Sequence, residues 1–343
     1  MNESKLEIKL AFIMGLREVV LNEISRLASL RVIKEEGDYI YLDFVQNLAA
    51  IKRLRSVSRA YIVMQNSKYS PFYIFNHKSI LGNLIEIIIN GNKDKFKTFK
   101  ITCAGSDSPR VRGIAEYIQR MYGLIEKEES DMKIHIIKKL DEIWEIGVQI
   151  TSRPLSSRDY KVKNMSGAMD STIAYAVNSL CELENVDSYL NIFSGSATLL
   201  IEASQCYPNL KQLIGFDNNK KSISLAIQNI KKAGLIKKIQ LKERNIFDKP
   251  DLGKFDVITS DLPFGMVISK NEDLENLYQC FIEYCQKTLS PGGKLVVYTS
   301  KYEILKKIIL ESEFKIVKTL ELKFMTSVNA YLRPKIFVCR LKS

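Results

Sequence analysis

The pattern of apolar and polar positions divides the chain near residue 150. Residues 5–12 (KLEIKLAF) alternate as a half-buried strand does, and residues 15–30 carry apolar side chains at helical spacing. Residues 39–44 (YIYLDF) alternate again, and residues 47–59 predict a second helix with Asn47 as its N-cap. This βαβα order with short connections predicts a small α+β module over residues 1–60. A second α+β module is predicted over residues 61–150. It holds a helix at 79–90, a strand at 99–105 and a helix at 111–123. Strands at 133–139 and 143–150 follow, joined by a hairpin turn at Leu140-Asp141-Glu142.

Residues 151–165 (TSRPLSSRDYKVKNM) break the periodicity and predict a linker. From residue 166 onward strands and helices alternate. Strands are predicted at 188–193, 211–217, 238–243, 255–260, 293–299, 314–323 and 335–341. Helices are predicted at 171–182, 197–206, 219–233, 274–289 and 301–311. Such alternation predicts a doubly wound, mostly parallel sheet, and the two successive strands at the end predict an antiparallel terminal hairpin.

Three segments of this second part carry candidate chemistry. Asn191-Ile192-Phe193-Ser194-Gly195-Ser196-Ala197-Thr198 follows an apolar strand and opens a helix. Small residues there let a ligand approach the backbone, and a helix N-terminus supplies N–H groups; an ordinary tight turn has the same look. Asp217 ends the next strand about twenty residues on. An acid there can accept hydrogen bonds from both ribose hydroxyls of a nucleoside, and it can also cap the helix that follows. Phe255–Gly265 (FDVITSDLPFG) then delivers Asp261, Leu262, Pro263, Phe264 and Gly265 to a strand's C-terminal end, where ligands of open α/β sheets bind. That set suits an exocyclic amine on a flat base. Asp261 and the Leu262 carbonyl can accept the amine's two hydrogens, which localises its lone pair on nitrogen. Phe264 offers a stacking face worth ~1–3 kcal/mol per base.

Composition narrows the possibilities. Of 343 residues, 46% are hydrophobic, which excludes a disordered chain. No apolar run approaches the ~20 residues of a membrane-spanning helix, and the first residues carry no apolar core of a secretory signal, so a cytoplasmic protein is expected. Six scattered cysteines without a CxxC read as reduced core residues. Two histidines leave little room for histidine-based catalysis or a metal site, and none is expected. The net charge of +12 is spread over both parts, which fits a polyanionic partner such as nucleic acid. Lys52, Arg53, Arg55 and Arg59 form one basic cluster, Lys93, Lys95, Lys97 and Lys100 a second, and Arg110, Arg112 and Arg120 a third. Each could equally be a solvated face.

The turn at 191–202, the acid at 217, the DLPFG at 261–265 and the run Asn271–Tyr278 resemble class I S-adenosylmethionine (SAM)-dependent methyltransferases. More narrowly, they resemble THUMP-domain tRNA guanosine N2-methyltransferases. The linker stretch Ser157-Arg158-Asp159-Tyr160-Lys161, followed by Ser166-Gly167-Ala168-Met169, echoes that family too. The resemblance implies a Rossmann-like methyltransferase domain at 166–343, preceded by a ferredoxin-like module (1–60), a THUMP domain (61–150) and the linker. It implies SAM as cofactor, held by Asn191, Phe193, Ser194, Gly195, Ser196, Ala197, Thr198, Asp217, Asn218, Asn245, Ile246 and Asp261. Asp261, Leu262, Pro263 and Phe264 would form the catalytic loop. Arg110, Arg112, Arg158 and Lys161 would contact tRNA. The DLPFG form is similar to the branch that methylates guanosine 6 of the acceptor stem. A small activating protein partner stays open.

The sequence departs from that family's pattern in places. Asn191 stands where the family has Asp, Ile192 replaces Pro and Ser194 replaces Cys. Ala197 replaces a Gly, so its φ is expected to be negative or the loop shifted. Asn245 replaces an acid that meets the adenine amine, though its amide oxygen can still accept. Two rival functions remain at this level. One is methylation of another amino group, such as adenine N6 or a guanosine elsewhere in tRNA or rRNA. The other is RNA binding without catalysis.

Overall fold

The computed structural model describes residues 5–66, 70, 77–91, 96–103, 109–139, 143–162, 168–263, 271–327 and 330–342. The chain divides into two compact units. One is Met1–Phe12 with Val20–Ser156, and the other is Ile13–Val19 with Ser157–Ser343.

The first unit is built on one sheet of eight strands: β1 (Leu6–Phe12), β2 (Val32–Glu36), β3 (Tyr39–Asp43), β4 (Val57–Asn66), β5 (Thr98–Cys103), β6 (Ile125–Glu126), β7 (Met132–Lys138) and β8 (Trp144–Gln149). Their order is β2-β3-β1-β4-β8-β7-β5-β6. Helices α1 (Arg17–Ser25), α2 (Ala49–Lys52), α3 (Gly82–Asn90) and α4 (Pro109–Tyr122) connect them.

The helix predicted over 47–59 is shorter than its pattern. It covers Ala49–Lys52, with the Asn47 side chain accepting from Ala49 N–H, and the chain from Val57 onward is strand β4. Val57 and the run Tyr61-Ile62-Val63 favour a pleated surface, and β4 finds partners on both sides, β1 (Ile8 opposite Ile62) and β8 (Ile62 opposite Val148). The expected module boundary at 60/61 therefore falls inside a strand, and a single sheet runs through both expected modules. Strand β2 went unread because VIKEE at a sheet edge has no apolar alternation. The predicted turn at 140–142 lies outside the described residues, but β7 and β8 pair antiparallel as a hairpin requires.

One face of this sheet buries a charge cluster. The fully buried Glu145 accepts from Lys9 Nζ at 2.6 Å, Tyr41 Oη at 3.1 Å and Gln65 Nε2 at 3.2 Å, and lies 3.1 Å from His135 Nε2. Burial pushes its carboxyl up, but the hydrogen bonds and charges of His135 and Lys9 outweigh that and hold it well below the usual carboxylate range. The His135 ring lies over Gly147, where any Cβ would come within 2.1 Å of it.

The second unit has a sheet of seven strands in the order β11-β10-β9-β12-β13-β17-β14. These are β9 (Ser188–Ile192), β10 (Gln212–Asp217), β11 (Ile239–Glu243), β12 (Phe255–Asp261), β13 (Leu289–Thr299), β14 (Phe314–Glu321) and β17 (Lys335–Leu341). The first five are parallel, and β17 is antiparallel to both β13 and β14. The expected mostly parallel sheet with an antiparallel end is thus present. A short ribbon of β15 (Phe324–Ser327) and β16 (Ala330–Leu332) is an addition. Helices α5 (Ser171–Cys181), α6 (Thr198–Cys206), α7 (Lys220–Lys232), α8 (Asn271–Thr288) and α9 (Tyr302–Glu311) complete the unit. Its core joins Leu190, Ile192, Phe216 and Ile258 of the central strands to Tyr278, Phe281 and Cys285 of α8.

The described part of the predicted linker is not a free tether. The Arg158 Nε donates to Glu202 Oε1 at 3.0 Å, and the Tyr160 hydroxyl donates to the same oxygen at 2.8 Å. Val162 N–H donates to Asn229 Oδ1 at 3.1 Å. The buried Glu202 of α6 draws this segment into the second unit.

Replacing Glu145 by Ala leaves the Lys9 ammonium buried without its charge partner. The expected loss is ~3–5 kcal/mol, read from denaturant unfolding. A loss below ~1 kcal/mol would show that Lys9 relaxes to water.

Candidate active site

The turn after β9 takes a backbone path that few side chains tolerate. Phe193, Gly195 and Ala197 all have positive φ, at 55°, 48° and 62°. Ser194 N–H donates to Phe216 O at 3.0 Å and Ala197 N–H to Ser194 O at 2.7 Å, which closes the turn against β10. Gly215 permits that approach, since a Cβ there would meet Leu200 Cδ1 at 2.5 Å and Ser194 Cβ at 3.0 Å. The expectation of a negative φ or a shifted loop at Ala197 is corrected. Ala197 adopts the left-handed conformation a glycine takes, as the residue before α6, and is fully buried. For an L-residue this costs ~1–2 kcal/mol.

Asp217 braces the same turn. Its Oδ2 accepts from Gly195 N–H at 2.9 Å and its Oδ1 from Asn219 N–H at 2.9 Å. The cap of α7 is Asn219, whose side chain accepts from Lys221 N–H and Ser222 N–H, so the capping role foreseen for Asp217 belongs two residues on. Asn218 is exposed between them. Asn245 Oδ1 accepts from Phe247 N–H at 3.1 Å, capping a short turn of helix in which Ile246 is buried.

Asp261 ends β12, directly beside β9. Ser260 Oγ donates to Ile192 O at 2.9 Å, and Asn191 Nδ2 donates to Thr259 O at 3.2 Å, so the two strand ends are tied. Leu262 is buried, and its N–H donates to Tyr298 O at 3.0 Å. The Tyr278 hydroxyl donates to Pro263 O at 2.9 Å and sits 3.0 Å from Thr299 Oγ1. Burial pushes that phenol up to about 12, which keeps it a neutral donor. Phe264 and Gly265 lie outside the described residues.

The turn after β9 and the end of β12 share one partly open cleft. The turn residues Phe193–Ser196 and Thr198 line it with Asn191 and Asp261. Ala197, Asp217, Asn218, Asn245 and Ile246 stand outside its lining. Ala168 and Met169 also line the cleft, a role that sequence reasoning missed. The Lys161 ammonium donates to Met169 O at 2.7 Å, and Asn229 Nδ2 donates to Ser196 O at 3.1 Å.

Among the described residues, five buried side-chain oxygens have no hydrogen-bond partner, and three of them line this cleft: Asn191 Oδ1, Ser194 Oγ and Asp261 Oδ1. Buried polar atoms are rarely left unpaired. Their gathering in one place marks a site for a polar ligand that donates hydrogen bonds. Burial alone pushes the Asp261 carboxyl up to about 8.

The four residues expected to touch RNA are placed differently. The side chain of Arg110 lies outside the described residues. Arg112 forks onto Glu126, with NH1 to Oε1 at 3.1 Å and NH2 to Oε2 at 2.5 Å. Arg158 is 11% exposed and held by Glu202. Lys161 is held by Met169 O. The last two are engaged within the chain, where the buried Glu202 carboxylate and the Met169 carbonyl accept from them.

Residues 158–328 match a family model described as RMKL-like, methyltransferase domain. The C-terminal unit belongs to that methyltransferase family. The mouse U6 snRNA (guanine-N(2))-methyltransferase THUMPD2 is 28% identical over 216 residues, covering 60% of this chain and 39% of that protein. The tRNA (guanine(6)-N2)-methyltransferase of Thermus thermophilus is 26% identical over 206 residues, covering 59% of this chain and 60% of that protein. The chain thus spans less than two thirds of the length of the curated relatives it matches. Among solved structures, TrmN from Thermus thermophilus superposes with a TM-score of 0.75 at 20% identity, covering 98% of this chain and 99% of that one. SMU.472 complexed with SAH gives 0.68 at 16% identity, covering 98% of each. These two likenesses show that the fold of nearly the full chain recurs in solved structures.

Two outcomes test this site. Ala197→Gly relieves the left-handed strain but frees the unfolded chain, for a net gain of about 0.5–1 kcal/mol in denaturant unfolding. Asp261 keeps its proton in the folded protein up to about pH 8, whereas the unfolded chain loses it near 4. Stability therefore falls as pH rises from about 4 to 8, and Asp261→Asn is expected to remove that slope. Parallel pH profiles of Tm for the two proteins would remove the burial argument.

Proposed function

We propose that the chain transfers a methyl group from SAM to the exocyclic N2 amine of a guanosine in tRNA, at position 6 of the acceptor stem. On this reading residues 1–150, comprising ferredoxin-like and THUMP modules, dock the tRNA, and the protein works in the cytoplasm. The observation that carries it is the unpaired, buried Asp261 Oδ1 in the cleft shared with the turn after β9. An acceptor held there awaits an N–H donor. The relatives' names support the base: guanine N2 in tRNA for one set and in U6 snRNA for another. The U6 snRNA relatives favour a second reading, in which the base is the same and the RNA differs.

The residues fit the cofactor. Asn191 Oδ1 and Ser194 Oγ are unpaired in the cleft and can meet the amino-acid end. Asp217 has each carboxylate oxygen engaged once, leaving lone pairs for a ribose diol. Asn245 and Ile246 would flank the adenine. The sulfonium of bound SAM supplies an electrophilic methyl, so positioning is the protein's main task. Asp261 Oδ1 and the Leu262 carbonyl accept the two amine hydrogens and turn the lone pair toward the methyl. Phe264 stacks on the base. Bound SAM would supply the methyl and leave as the neutral thioether with the electron pair of its sulfur–carbon bond, so the positive charge would pass to nitrogen. The nitrogen then loses one proton, which Asp261 can receive because burial has raised its affinity for it. Tyr278 holds the loop through Pro263 O.

Asp261→Ala is expected to lower methyl transfer to tRNA by at least 10²-fold with tRNA affinity nearly unchanged. Nucleoside digestion and mass spectrometry of the reacted RNA check it and identify the base. N6-methyladenosine in place of N2-methylguanosine would overturn the proposed target. Full activity in the variant would remove Asp261 from the mechanism.

A further inference from the structure

The ribbon β15–β16 stands at the catalytic edge of the sheet. β13 and β14 are each antiparallel to β17, so β14 runs in the direction of the parallel strands and leaves the sheet where β12 ends in Asp261. The register passes from Asp261 to Tyr298, from Tyr298 to Ile336 and from Ile336 to Leu320. At ~4.8 Å per strand step, Leu320 lies roughly 14 Å from Asp261 across the sheet, and the ribbon begins a few residues beyond it, at Phe324. Lys323 N–H donates to Met14 O at 3.0 Å, and Leu322 N–H to Pro334 O at 2.9 Å, which fixes the base of the ribbon.

The ribbon's side chains face water. Met325 is 72% exposed, Tyr331 46% and Leu332 44%. The Lys323 ammonium lies 4.0 Å from the centre of the Tyr331 ring. At the foot of the ribbon the Lys335 ammonium lies 3.8 Å from the centre of the Tyr302 ring, and Lys301 is exposed beside it. Arg333 and Lys335 share Glu321. Lys301, Lys323, Arg333 and Lys335 make four cations here against two acids, Glu303 and Glu321.

We propose that this ribbon grips the RNA strand beside the target nucleotide. Tyr331 offers a face for an unstacked base, and Lys301, Lys323 and Arg333 meet phosphates. The inference rests on the proposed RNA substrate and extends it. A base can reach Asp261 only out of its stack, so the strand that carries it is locally opened beside the sheet edge from which the ribbon rises. Aromatic faces crowned by cations are the composition that binds such strands. Protein interfaces, by contrast, deplete lysine.

The test compares the full chain with its Lys323→Ala/Tyr331→Ala/Arg333→Ala variant. The probes are a tRNA transcript and a single-stranded RNA oligonucleotide, followed by fluorescence anisotropy over a salt series. The variant should bind both RNAs about 10- to 100-fold more weakly. Its log–log salt slope should be shallower by about 2, one for each lost phosphate contact. SAM affinity by calorimetry should be unchanged, which reports an intact fold. Tyr331→Phe, which keeps the ring, should bind as the wild type does. Equal RNA affinity and slope in the triple variant would overturn the proposal. Equal RNA binding with altered self-association in sedimentation would reassign the ribbon to a protein interface. A wild-type chain that binds neither RNA would overturn the proposed substrate itself, a result distinct from a silent ribbon.

Discussion

The parallel pairing of β9 with β12 sets the whole chemistry of the C-terminal unit, because it brings the turn after Ile192 and the acid after Ser260 to one sheet edge. Side chains reinforce the pairing on the inside. Thr259 donates to Tyr189, Tyr189 to Asn178, and Asn178 Nδ2 to the Leu199 carbonyl of α6. This buried relay crosses β12, β9, α5 and α6, and every oxygen along it has a donor. Polar groups inside a protein are costly unless satisfied, so such a network leaves little freedom in how the first turn of α6 meets the strand ends. The atoms left unsatisfied lie one step away, in the cleft, where a ligand can meet them.

Much of this was legible in the chain. Regular alternation after residue 166 predicts a parallel sheet, since hydrophobic spacing alone separates buried strands from amphipathic helices there. The Asn191–Thr198 turn and the Asp261 loop are contiguous motifs, and contiguous motifs survive in sequence. What could not be seen is long-range. Tyr278 reaches the Pro263 carbonyl from a helix fifteen residues on, and Asn229 reaches Ser196 across thirty-three. The partners of charged residues are hidden for the same reason. A sequence shows that Arg158 and Lys161 are cations, but only packing reveals that Glu202 and the Met169 carbonyl claim them.

The first unit shows how tertiary partners override local pattern. Residues 53–59 read as helix because basic residues interrupt the apolar ones at helical intervals. From Val57 the chain instead becomes an inner strand, since β1 and β8 offer two ladders of hydrogen bonds to a segment rich in β-branched and aromatic residues. Arg59, read in sequence as one of a basic cluster, then joins Lys9 and His135 in the sheet's own polar layer and donates to Gln149 at 2.9 Å.

The buried Asp261 carboxyl also couples ligand binding to solvent protons. Burial favours the protonated form of this group near neutral pH, whereas the proposed amine is met best by the ionised form. Docking of such a ligand therefore expels up to one proton into the buffer, and the free energy of docking changes by ~1.4 kcal/mol for each pH unit below the carboxyl's pKa. The heat of that event depends on the buffer that takes up the proton. Between about pH 4 and 8 the fold loses stability as the site gains affinity, so the two quantities move in opposite directions through one titration.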